Sequence, residues 1–228
     1  MSRQLQQPEE DDPRNPKVAA SALDFLLIEL VPLAQRITEQ LHVQEQAMQE
    51  KYRKSRLFNK TAAKRPANAQ TGTGTMTSLG FPSMDEHTRE GVFWRLDGLG
   101  YRVGQGLVER FSVNKPRATT PLDAIKFICK DLWTLVFRKQ IDNLKTNHRG
   151  IFVLTDNRFQ PLSRMSVDRG AGPKAADEAI ARAQTYMYFP CGVLRGALAG
   201  LGIEATVEGS SAEIPAATFQ IKTKGAKP

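Results

Sequence analysis

Between residues 97 and 111 the chain places Gly100, Gly104 and Gly106 inside a segment with helical apolar periodicity. Glycine inside a helix costs roughly 1 kcal/mol against alanine. A helix that carries three of them in about two turns gains something from the missing side chains, and the usual gain is close approach of another backbone. The segment therefore reads as a packing surface rather than a catalytic loop. A second apolar segment, 186–200, repeats the spacing with Gly192, Gly196 and Gly200. For Gly100 and Gly104 the pattern leaves two neighbours open: the helix predicted over 121–146, or a second chain.

Helical periodicity also runs from about 19 to 53, with Leu23, Leu26, Leu27, Leu30, Leu33, Ala34, Ile37 and Leu41 in register. Its first half adds Phe25, Ile28 and Val31 and is apolar nearly all round, so it must be covered on more than one side. Pro32 removes one ladder hydrogen bond and predicts a kink or break near Val31. The helix that holds the first three glycines is predicted from Asp85 to Phe111. Thr120, Pro121 and Asp123 form a start signal: a hydroxyl cap, proline at the first helical position and an acid at the third. The apolar register behind that signal carries the helix to Leu144, and 147–150 ends it. Residues 151–155 read as a strand with 162–166 as hairpin partner, 186–200 as a helix, and 203–208 and 217–222 as two closing strands. Helices segregated from hairpins imply an α+β fold, not a doubly wound sheet.

Residues 1–18 are polar and acidic and read as a disordered tail, without the apolar centre of a secretory signal. Residues 19–228 read as one domain, interrupted by a low-complexity loop at about 51–84 and a second insertion at about 167–184. The run 51–65 holds seven basic residues and no acid, and supplies much of the net charge of +8. No apolar run reaches the ~18 residues that would span a bilayer. Cys129 and Cys191 lie in apolar contexts and read as reduced core thiols.

Catalytic patterns do not emerge. His42, His87 and His148 are far apart in sequence, and none has zinc-ligand spacing with another histidine or cysteine. There is no phosphate loop, dinucleotide fingerprint or nucleophile elbow. Asp97, Glu109, Asp123, Asp131 and Asp142 read as solvated acids on polar helix faces. No catalytic, metal or cofactor site is expected. Tyr52 and Phe58 are thin aromatic interleaving for a nucleic-acid surface in the basic run. What remains is an excess of apolar helical surface, which meets a partner chain or closes over a lipid or acyl chain.

Several motifs, in order, carry a family resemblance. Gly100-Tyr-Arg-Val-Gly104-Gln105, Phe127-Ile-Cys-Lys-Asp-Leu-Trp133, the run from Phe137 to Gly150, and Phe189-Pro-Cys-Gly-Val-Leu-Arg-Gly-Ala-Leu198 resemble the bet-three superfamily of the transport protein particle (TRAPP) complex. Lys130-Asp-Leu-Trp133 with Thr146-Asn-His-Arg-Gly150 is similar to its subunit-six branch, the thirty-three-kilodalton subunit in yeast. The resemblance covers 97–223 and, more weakly, 20–41.

It implies a helical layer packed on a four-stranded antiparallel sheet, and a stable dimer with a bet-three-type subunit formed through the first two helices. It implies a non-catalytic structural role in a vesicle-tethering complex that exchanges guanine nucleotide on Rab GTPases. That complex works in ER-to-Golgi and Golgi traffic, in the cytoplasm and peripherally on those membranes, with the exchange surface built mainly by other subunits. Bet-three subunits themselves carry an acylated cysteine soon after the second helix. The corresponding stretch here, 111–120, has no cysteine, which excludes acylation at that position.

The partner face is expected to comprise Phe25, Leu26, Ile28, Leu30, Val31 and Leu33 of the first helix, with Leu99, Gly100, Val103 and Leu107 of the second. Two other functions compete with it: a hydrophobic-ligand domain whose helices enclose a lipid or acyl chain, and a nucleic-acid adaptor acting through 51–65.

Overall fold

The first helix, α1 (Ala20–Phe58), runs 39 residues with Pro32 inside it. It comes from a computed structural model that describes residues 19–58, 86–113, 115, 118, 120–147, 149–165 and 173–224. The expectations for the 1–18 tail, for 59–84 and for 167–172 lie outside the described residues. The break expected near Val31 does not occur. The missing N–H of Pro32 leaves the carbonyl of Ile28 without its ladder donor, on a residue that lies on the exposed side of the helix. The helix also continues through 51–58, which the sequence assigns to the loop. There Arg53 donates twice to Glu50 at 3.0 Å, and Lys54 lies 3.6 Å from the same carboxylate one turn on. Such pairs support an exposed helix. From Val43 to Lys54 the side chains are exposed except the half-buried Glu50.

The second helix, α2 (Glu86–Phe111), has Glu86 in its first turn and Arg110 in its last, both suited to the helix dipole. The start signal at Thr120 is realised: its Oγ1 accepts the N–H of Asp123 at 3.2 Å and opens α3 (Pro121–Phe127). A π-helical turn, Ile128–Leu132, leads into α4 (Trp133–Phe137). The wider turn leaves the carbonyl of Cys129 to accept the N–H of Ile141 at 3.1 Å, which docks the following reversal.

Arg138 takes a left-handed φ of 61° and ends the helix well before Leu144. Asn143–Thr146 is therefore a strand, β1, and it is the hairpin partner of β2 (Ile151–Asp156). The segment expected in that place instead opens on a one-turn helix, α5 (Gln160–Ser163). Next, α6 (Pro173–Tyr186) buries Ala175, Ala179 and Ala183 along one stripe. Then α7 (Tyr188–Gly200), β3 (Ala205–Ser210) and β4 (Ala217–Thr223) complete the described chain.

The strands form one antiparallel sheet in the order β1-β2-β4-β3. Phe152 pairs with Ile221 and Leu154 with Phe219, which puts four buried residues on one face. The helices cover that face, so the α+β architecture is as expected. Trp133 centres the core, with ring centroids 4.4 Å from Phe137 and 5.3 Å from Phe219. Its indole N–H donates to Asp156 Oδ2 at 2.9 Å, and Lys139 Nζ donates to Oδ1 at 2.6 Å. The buried carboxylate is thus paired and hydrogen-bonded, which is what makes its burial tolerable.

Candidate partner-binding face

Two flanks of α2 do different things. Gly100 and Gly104 turn to α7. A Cβ on Gly100 would collide with the carbonyl oxygen of Phe189, and one on Gly104 with that of Val193. The relation is reciprocal, because Gly192 rests on the carbonyl of Asp97 and Gly196 on that of Tyr101. The two helices therefore pack backbone to backbone. An ion pair between Arg195 and Asp97 closes the seam, and the Arg195 guanidinium lies 4.5 Å over the Tyr101 ring. The neighbour of these glycines is α7, not the 121–146 segment. Asp97 is buried rather than solvated, contrary to expectation, because Arg195 neutralises it. Asp142 lies off the helices and accepts from Lys139 and from the N–H of Asn157; the Lys139 bond, then the Asn157 bond, hold its pKa below the ordinary value. Cys129 and Cys191 are free and buried, and burial pushes each thiol up to about 12.

The other flank meets α1. Val31 and Ala34 pack on Val92 and Leu96, and Thr38 Oγ1 donates to the carbonyl of Ala34 at 2.7 Å. One turn beyond Thr38, the rings of His42 and His87 come within 4.9 Å of each other across the contact, a pairing the sequence did not suggest. The start of α1 is held by Asp24, which accepts from Gln160 at 2.5 Å and from Arg164 at 2.7 Å. Among the described residues, no group of three or more metal-binding side chains gathers.

The α1–α2 contact is incomplete. A groove of about 430 Å³ lies open along it. Leu30, Leu33 and Ile37 form one wall, and Trp94, Gly98 and Arg102 the other. Ala34 and Leu96 are buried beneath. Leu26, Leu30, Leu33 and Ile37 fall on one helical stripe (spacings of four, three and four), and all but Leu30 are exposed.

The ten residues expected at the partner face divide accordingly. Leu26 and Leu33 lie on the exposed stripe, with Leu30 half-buried in it. Val103 is exposed on α2, with Leu99 and Leu107 half-buried. Phe25, at 70% exposure, and Ile28 are exposed but off that stripe. Val31 and Gly100 are corrections: Val31 is buried under α2 and Gly100 under α7, so neither is available to a partner. Ile37, Trp94, Gly98 and Arg102 also line the groove, outside the ten expected residues. Ile37 was visible in the periodicity; Trp94 follows the apolar Phe93 and only the helix geometry sets it on the groove side.

Residues 23–224 match the family described as transport protein particle (TRAPP) component. The chain belongs to the TRAPP component family. Human trafficking protein particle complex subunit 6B is 47% identical over 127 residues, which is 56% of this chain and 75% of that protein. Mouse subunit 6A is 45% identical over 126 residues, 55% of this chain and 74% of that protein. An uncharacterized protein of Schizosaccharomyces pombe is 33% identical over 205 residues, 90% of this chain and 64% of that one. A crystal structure of a subunit 3 from Naegleria fowleri, covalently bound to palmitic acid, aligns with a TM-score of 0.48 at 14% identity. That alignment covers 61% of this chain and 84% of the other. Membership makes this TRAPP chain a subunit of a vesicle-trafficking complex, of the subunit-six type, with other TRAPP subunits as partners. No helix among the described residues is long and apolar enough to cross a membrane.

Proposed function

We propose that this chain is a non-catalytic structural subunit that pairs with a bet-three-type TRAPP subunit across its α1–α2 face. The assembled particle, rather than this chain, then carries nucleotide exchange on a Rab GTPase at Golgi and ER-Golgi membranes, where the chain is peripheral. One observation carries the reading. Leu33 and Ile37 stand exposed on α1, opposite the exposed Trp94 of α2, around an open groove, and Leu26 is exposed on the same stripe of α1. Apolar surface left in water costs about 25 cal/mol per Å², and contiguous exposed apolar surface marks a site of association. Half-buried Leu99 and exposed Val103 extend the face along α2. Stable subunit interfaces are large and apolar at their centre, and this face has that character. The buried acids Asp97 and Asp156 are each paired with an internal cation, which supports structural rather than acid–base roles.

Leu33→Asp and Val103→Asp each place a carboxylate on this face without entering the core. Light scattering of the mixed subunits should show a heterodimer with the wild-type chain and separate monomers with either variant. Circular dichroism of both variants should match wild type. A heterodimer retained by both would overturn the reading.

A further inference from the structure

The charged side chains that line the α1–α2 groove are both cationic: Arg95 and Arg102. Arg95 is partly engaged, donating from Nη1 to the carbonyl of Gly91 at 2.9 Å. Arg102 is exposed and makes no hydrogen bond or ion pair among the described residues. Gly98 lies one turn after Trp94 and one turn before Arg102, and a Cβ built on it meets nothing within 4 Å. The α2 wall therefore presents a notch between an indole and a free guanidinium. Across it stand Leu33 and Ile37.

We propose that the groove takes an amphipathic helix of the partner subunit, with a bulky apolar side chain seated over Gly98 and a carboxylate about one helical turn away paired with Arg102. The proposal rests on pairing through the α1–α2 face and names what that face accepts. Two helices with an open cleft between them accept a third by seating its ridge of side chains in the cleft. The charge argument selects which helix. Arg102 has no anion among the described residues, and covering it with an uncharged or basic surface would leave a desolvated charge unpaired. An acid on the incoming helix meets the guanidinium fork with two donors. The notch selects size, because the space over Gly98 is wide enough to receive a side chain and bounded by Trp94.

Isothermal titration of the full chain into a bet-three-type subunit, at low and high salt, tests this. Arg102→Glu should weaken binding by about tenfold or more and remove most of its salt dependence, while Arg102→Lys keeps most of the affinity. Gly98→Trp fills the notch and should weaken binding by about tenfold or more. Circular dichroism of each variant should match wild type. Leu33→Asp, in the same series, reports on the face itself. If Leu33→Asp abolishes pairing while Arg102→Glu and Gly98→Trp bind like wild type, the acidic helix is the wrong occupant and the face survives. If all three bind like wild type, the face falls with it.

Discussion

Gly100 and Gly98 stand two residues apart on α2 and have opposite fates. Gly100, with Gly104, is closed off by the main chain of α7, whose own glycines are filled in turn by α2. Gly98 opens onto the α1 groove and meets nothing. One residue type on one helix thus serves a finished contact and an unfinished one. The difference teaches that glycine inside a helix marks a demand for closeness only where a second backbone is present to answer it. Where none is present, the cost of the glycine is uncompensated within the chain. The α7 flank is closed within the fold, and the α1 flank is left open among the described residues.

That contrast can be broken. Gly104→Ala carries the largest expected effect: its Cβ meets the carbonyl of Val193 and lies 2.7 Å from the amide nitrogen of Ala197, neither of which can rotate aside. A loss of about 3 kcal/mol, the upper end for overpacking, is expected in urea denaturation. Unchanged stability would show that the α2–α7 seam is softer than its geometry. Trp94→Ala tests the open flank, since the side chain is 63% exposed and contributes little to the fold. It should cost about 2 kcal/mol of partner affinity, as large aromatic anchors do, and under about 0.5 kcal/mol of stability. A change mainly in stability would reassign it to the core.

Smaller still is Gly98→Ala, which fills no occupied space and should raise stability by about 1 kcal/mol or less in the isolated chain. Destabilisation would mean that the flank is already covered. The least effect is expected from a thiol reagent such as iodoacetamide at pH 8. With its pKa raised to about 12, the Cys191 thiol stays protonated there, and burial blocks access. Native chain should remain unlabelled until denatured. A Gly98→Cys variant should label at once and be shielded by the partner subunit.

Much of the helical layer was legible because it follows local rules. The Thr120 cap is read from three residues, and the apolar stripe of α2 from its period. The parts that were missed depend on events between distant residues. Leu144 continues the apolar spacing of α4, so nothing local distinguishes strand β1 from helix; the left-handed turn falls on Arg138, without the glycine that usually announces it. Asp97 looked solvated because its partner Arg195 lies 98 residues away. Pro32 looked disruptive because the residue alone does not say which side of a helix faces water. At the candidate face, the exposed stripe of α1 was legible. Its division from the buried stripe holding Val31 required knowing where α2 lies. The destination of Gly100 required α7.

The length of α1 matters to how the chain must be weighed. The ring of His42 meets that of His87 on α2, and the 16 residues from 43 to 58 continue as helix for about 24 Å. A body with such a spar tumbles and elutes as a larger sphere would. Retention on a sizing column will therefore overstate the mass of a single chain, and an early peak is no sign of self-association. Scattered light or sedimentation equilibrium, which weigh mass and ignore shape, will count the copies correctly.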